Sequence, residues 1–153
     1  RVLFRSVTVP RLRKAIEGFG DTPGLGGGFR FCRLGNPLFD EAGKSGEVRF
    51  ADLAAHVFFT ETGSPIPKRV DGRTPLLGVY QGKAVYLLFN GVLGDRRPAG
   101  GNVLTHAVAE DLPPHPSGKG SLVVYGEACR LGPKSLNRYG ITFRQIPFEL
   151  KVE

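Results

Sequence analysis

The chain is poor in the residues on which redox, metal and nucleophilic chemistry are built. It has two cysteines, Cys32 and Cys129, and three histidines. Two thiols do not make a disulfide framework, so a reducing, cytoplasmic setting is expected. Neither cysteine has a His or Cys neighbour at ligand spacing, which leaves no zinc signature and reads both as buried, inert thiols. His56 stands alone on the flank of an apolar stripe and reads as a surface or packing histidine. No apolar run approaches a membrane span, and the first residues lack the pattern of a secretory signal. G-x-x-x-x-G-K-[ST], H-E-x-x-H, C-x-x-C and G-x-S-x-G are all missing, which excludes the phosphate loop, zinc protease, dithiol and nucleophile-elbow readings. Acids are also scarce, with 14 Asp and Glu against 21 Lys and Arg, for a net charge of +7. Such an excess favours a polyanionic partner, most economically nucleic acid.

What is present is a globular composition. The 153 residues are 41% hydrophobic, with eleven Phe and four Tyr, enough for one ordinary domain with its own core. The 22 Gly and 12 Pro predict long loops between short elements. Val9 to Gly18 has helix chemistry, with Thr8 as cap, Pro10 in the first turn and Gly18 at the end. Gly18 to Gly28 reads as a flexible connector. It holds Gly24-x-Gly26, but Phe29 stands where a dinucleotide fingerprint needs its third glycine. Phe29 to Leu34 alternates as a strand. Phe50 to Thr60 is the clearest helix, with Phe50, Leu53, Ala54, Val57 and Phe58 on one stripe. Leu76 to Tyr80 and Ala84 to Phe89 read as a hairpin turned at Gln81-Gly82-Lys83. Asn102 is placed to cap a helix from Val103 to Leu112, stopped by Pro113-Pro114.

The chain closes on its most specific unit. Leu122 to Tyr125 is a β-branched, buried-strand run. Pro133 to Gly140 starts and stops as a helix should, and Ile141 to Ile146 alternates as a half-buried strand. The connection is about the minimum for a parallel crossover. The fold class expected is α/β, with α+β the alternative. It is a small mixed sheet of about five short strands, three to four helices and long Gly/Pro-rich loops.

The basic residues cluster in three places: Arg11, Arg13 and Lys14 on the first helix, Lys68 and Arg69 in the loop after the second, and Arg96 and Arg97 in the loop Asn90 to Gly101. These seven are the candidate contacts to a DNA backbone, against the blander reading of solvated polar faces. A second pattern is Glu149-Leu150-Lys151. Metal-dependent nucleases place an acid and a lysine two residues apart on a strand, with a further acid sharing Mg²⁺. Asp95, Asp111 and Glu127 are candidates for that further acid.

Three ordered blocks carry a family resemblance: LGGGFRFCRLGNPLFD at Leu25 to Asp40, LAAHVFFTETGSP at Leu53 to Pro65, and YGEACRLGPKSLNRYGITFRQIP at Tyr125 to Pro147. Together they resemble the C-terminal region of bacterial site-specific, adenine-directed DNA methyltransferases, similar to the modification subunit of type III restriction systems. The resemblance implies a parent enzyme that transfers a methyl group from S-adenosylmethionine to the exocyclic amino group of adenine in double-stranded DNA. A restriction subunit or a second methyltransferase subunit is the further partner implied. The family's Asp-Pro-Pro-Tyr and Phe-x-Gly-x-Gly motifs are missing here, so no catalytic, cofactor-binding or metal residue is carried over, and no cofactor is expected to bind this piece. Residues 1–6 look like a translated sequencing-adapter tail. Without Arg1 and Arg5 the net charge falls from +7 to +5. Residues 7–23 then read as the end of an upstream catalytic domain plus linker, and 24–153 as a C-terminal accessory α/β domain. A stand-alone nucleic-acid-binding module is the alternative.

Overall fold

The computed structural model describes residues 4–29 and 48–146. The chain divides into two compact units, Arg1–Asn36 and Pro37–Glu153.

In the first unit a π-helical turn, Phe4–Thr8, runs into helix α1, Val9–Glu17. Thr8 therefore has helical backbone angles and makes no side-chain cap, because the turn before it already continues the spiral. The glycine-rich stretch after α1 is not a free connector throughout. Strands β1, Gly18–Phe19, and β2, Thr22–Pro23, pair antiparallel. The N–H groups of Leu25 and Gly26 then donate to the carbonyls of Ala15 and Ile16. Those carbonyls lack helical partners at a C-terminus, so the glycines fold back to satisfy them.

The second unit is a three-layer α/β/α sandwich. Its sheet has the order β3-β4-β6-β8, with β3 Leu76–Tyr80, β4 Lys83–Leu87, β6 Ser121–Gly126 and β8 Ile141–Gln145. β3 and β4 are antiparallel, while β4, β6 and β8 are parallel. The small mixed sheet thus matches four of the strands read from the pattern. The remaining one, Phe29 to Leu34, falls almost wholly outside the described residues.

Alternation along the strands splits the core in two. Val85, Leu87, Val123 and Tyr125 face α2, Phe50–Thr62, and meet Leu53, Val57 and Phe58. Ala84, Tyr86, Val124 and Ile141 face the other way, toward Ala109, Leu136 and their neighbours. That second layer is α3, His106–Asp111, and α4, Pro133–Tyr139. They lie on the crossovers β4-to-β6 and β6-to-β8, so both cover the same face. His56 is half-buried on α2, where burial lowers its pKa.

Asn102 does not cap a helix. Val103–Leu104 forms a short strand, β5, parallel to β7, Ala128–Cys129. The cap of α3 is Thr105, whose Oγ1 accepts from the Val108 N–H at 3.3 Å. Val103 and Leu104 are fully buried β-formers, and pairing with β7 outweighs any helix they would start.

The β3–β4 turn is Gln81-Gly82, with φ of 49° and 75°. Both central residues being left-handed is the two-residue hairpin geometry that matches strand twist. Gln81 bears the cost of that conformation. Gln81→Asn is expected to stabilise the unit by roughly 0.5 kcal/mol, read as a raised midpoint in urea unfolding with an unchanged slope.

Candidate functional site

Strand β6 changes partner at its end, and this places the site. The Leu88 N–H donates to the Tyr125 carbonyl, whereas two residues on, the Glu127 N–H donates to the Asn102 carbonyl. Residues 89–101 therefore leave the sheet and return beside the same strand, a compact loop with adjacent ends. Gly126 sits at the switch, where a Cβ would lie 2.7 Å from the Asn102 carbonyl oxygen. Only glycine admits that approach.

Four polar side chains hold the loop. Asn102, fully buried, accepts from the Asn90 N–H at 2.6 Å and donates to the Val92 carbonyl at 2.7 Å. Asn90 donates to Asp95 Oδ2 at 2.8 Å and to the Gly100 carbonyl at 2.6 Å. Glu127 Oε1 accepts from the Gly94 N–H at 2.7 Å, and its buried Oε2 has no partner among the described residues. Asp95 accepts from the Arg97 backbone N–H at 3.1 Å, and from Nε and Nη2 at 2.8 Å each.

These contacts set the charges. The Arg97 guanidinium and N–H, with Asn90, hold the Asp95 carboxyl well below the usual carboxylate range against the opposing effect of burial. Burial pushes Glu127 the other way, reinforced by Asp95 and opposed by the Gly94 N–H and Arg96. The side-on donors of Arg97 are committed to Asp95. Its side chain is 79% exposed, so the end-on donors face solvent. Arg96 beside it is exposed as well.

Asp71-Gly72-Arg73 repeats the same turn. The Arg73 N–H donates to Asp71 Oδ1 at 3.1 Å, and Arg73 Nε lies 3.3 Å from Asp71 Oδ2. This turn leads into β3, whose start lies beside the end of β4, as the Leu87 N–H to Pro75 carbonyl bond shows. Arg73, Arg96 and Arg97 thus share one end of the sheet, at the carboxyl ends of its parallel strands. In open α/β sheets that end is where ligands are bound. Arg73 is not among the seven candidates read from the sequence. The signal that could have found it is an Asp two residues before an Arg, which Asp71-Gly72-Arg73 shares with Asp95-Arg96-Arg97.

The other basic candidates are spread out. Lys68 and Arg69 are exposed between Pro67, which packs beside Gly78, and the buried Val70. Arg11, Arg13 and Lys14 are exposed on α1 of the first unit, with the Lys14 ammonium 4.0 Å above the Phe19 ring. Glu149 and Lys151 of the nuclease pattern lie outside the described residues. Asp95 and Glu127 are absorbed in holding the loop. No group of three or more His, Cys, Asp or Glu among the described residues is arranged for a metal ion. The thiol of Cys129 accepts from the Leu131 N–H at 3.4 Å, and Cys32 is outside the described residues.

A second polar cluster lies on the α2 face, and nothing in the pattern announced it. The Glu61 carboxylate, 2% exposed, meets Lys83 Nζ at 2.6 Å and Arg144 Nε at 3.1 Å. It also accepts from the Tyr125 hydroxyl at 2.9 Å. One residue from each parallel strand is thereby tied to the last turn of α2.

The glycine run Gly24–Gly28 is irregular loop that folds back onto α1. Two of its N–H groups are spent on α1 carbonyls, and all five glycine-run residues are exposed. No helix among the described residues is long and apolar enough to cross a membrane. No family model matches the chain, and no curated protein or solved structure matches it either.

Proposed function

We propose that this chain is a non-catalytic α/β accessory piece of an adenine-specific, S-adenosylmethionine-dependent DNA methyltransferase, and that the arginine-bearing end of its sheet contacts the backbone of double-stranded DNA. The observation that carries the DNA contact is the shared placement of Arg73, Arg96 and Arg97, with the Arg97 guanidinium held on one edge by Asp95. A guanidinium fixed on one edge keeps its remaining donors aimed outward, which lowers the ordering cost of gripping a phosphate. The +7 charge supports the same partner. The methyltransferase assignment rests on the three sequence blocks that resemble that family's C-terminal region.

The test is duplex binding by fluorescence anisotropy across a salt series. The slope of log affinity against log salt should fall by about 0.9 for each phosphate contact removed. Arg96→Ala and Arg73→Ala should each lower it by about that amount, with additive effects in the double variant. Binding that is salt-insensitive, or unchanged in the double variant, would falsify the DNA contact. Methyl transfer to DNA by this chain alone would overturn the non-catalytic assignment.

A further inference from the structure

A cleft of about 480 Å³ opens beside the same end of the sheet. That volume is in the range of small-molecule sites. It is lined by Leu87 and Leu88 at the end of β4 and by two aromatic residues, Phe50 and Phe89. The walls are held by specific contacts. The Tyr86 hydroxyl donates to the Pro113 carbonyl at 2.8 Å, fixing the chain after α3. Gly72 lies so close to Phe50 that a Cβ there would come within 3.1 Å of the ring.

Two charged groups of opposite sign line the cleft, Arg73 and Asp111. Asp111 is the last residue of α3, and the last turn of that helix has no basic residue. A carboxylate at the negative end of a helix gains nothing from its own element. It makes no hydrogen bond or ion pair among the described residues. Arg73 is 89% exposed and pairs with Asp71, itself 64% exposed. A surface pair of that kind is weak and leaves the guanidinium available to an anion.

We propose that this cleft binds a nucleoside monophosphate whose base carries an exocyclic amino group. The aromatic rings take the face of a planar base, Asp111 accepts from the amino group, and Arg73 binds the phosphate. The unit could be a free nucleotide or one unstacked from single-stranded DNA, since the recognised chemistry is the same. The proposal shares Arg73 with the duplex contact above. Arg96 does not line the cleft, so Arg96→Ala separates the two: it should weaken duplex binding and leave AMP binding unchanged.

Titration of the chain with AMP, followed by NMR shift changes, reads the proposal directly. AMP should bind at least about tenfold more tightly than IMP, which lacks the amino group. Arg73→Ala should weaken AMP about tenfold while leaving adenosine unchanged, and Asp111→Ala should erase the preference over IMP. Both side chains are exposed, so the variants are expected to stay folded, which their spectra would report. Binding of a short single-stranded oligonucleotide in preference to AMP names nucleic acid as the source; the reverse names the free nucleotide. Equal binding of AMP and IMP, binding of an aromatic amino acid instead, or no shift of cleft residues with any nucleotide overturns it.

Discussion

Replacing Glu61 with alanine should lower the stability of the second unit by about 3 kcal/mol. For a unit of this size that is a fall of roughly 10–20 °C in melting temperature. Three groups lose their acceptor at once: Lys83, Arg144 and the Tyr125 hydroxyl. Breaking a buried pair by removing one partner costs about 3–5 kcal/mol. The low end applies because Lys83 and Arg144 are 38% and 55% exposed and can regain water. Glu61→Gln keeps an acceptor for Tyr125 and should recover part of the loss. Thermal unfolding by circular dichroism compares the three proteins. A melting point for Glu61→Ala within a few degrees of the parent would mean the cluster is ornamental.

The same carboxylate sets a pH dependence. Burial opposes ionisation of Glu61, but Lys83, Tyr125 and Arg144 together outweigh it and its pKa is lowered. Asp95 is lowered too, first by the Arg97 side chain. A depressed carboxyl contributes stability that is present above its ordinary value and lost as pH falls through the folded one. The unit should therefore lose stability on acidification below about pH 4, and the loss should be shallower in Glu61→Gln. Tyr125 is shifted upward by burial and by Glu61. Its contribution is complete below the ordinary tyrosine value and disappears as pH rises through the raised one.

Asn102→Ala should cost about as much and should also disable the arginine loop. The side chain satisfies the Asn90 N–H and the Val92 carbonyl. Each group left without a partner costs about 1–3 kcal/mol if it stays buried. The loop instead has the option of opening to water, so the loss is divided between global stability and local order. Hydrogen exchange separates the two. The amides of Asn90 and Gly94 should lose protection well beyond those of β4 and β6. Duplex affinity should fall in parallel, although Asn102 is itself fully buried. Asn102→Asp keeps the acceptor for Asn90 and loses only the donor to Val92. Unchanged protection at Asn90 and Gly94 in Asn102→Ala would show that the network does not hold the loop.

Much of the architecture is legible in the chain because it rests on local rules. The stripe of Phe50, Leu53, Ala54, Val57 and Phe58 makes α2 at the positions its period demands. The hairpin around Gln81-Gly82 and the strand-helix-strand unit ending at Ile146 follow from turn chemistry and alternation. These elements carry both hydrophobic clusters, so the α/β class comes with them. The excess of Lys and Arg is also a sequence property, and it directs attention to a polyanion before any fold is known.

Tertiary structure decided the rest, because the deciding contacts join residues distant in sequence. Asn102 has the chemistry of a helix cap, and only the pairing of β5 with β7 turns it into the buried clasp of a loop. Glu61 looks like one more surface acid on α2 until β4, β6 and β8 bring Lys83, Tyr125 and Arg144 beneath it. Asp95 and Glu127 read as spare acids for a metal, and the fold commits them to Arg97 and Gly94. Arg73 joins Arg96 and Arg97 because β3 runs antiparallel to β4, which brings the start of one strand to the end of the other. Local pattern specified which segments of the main sheet and of α2 and α4 form strands and helices. Which polar groups end up buried together depended on register and sheet order, and those are settled only when the whole core closes.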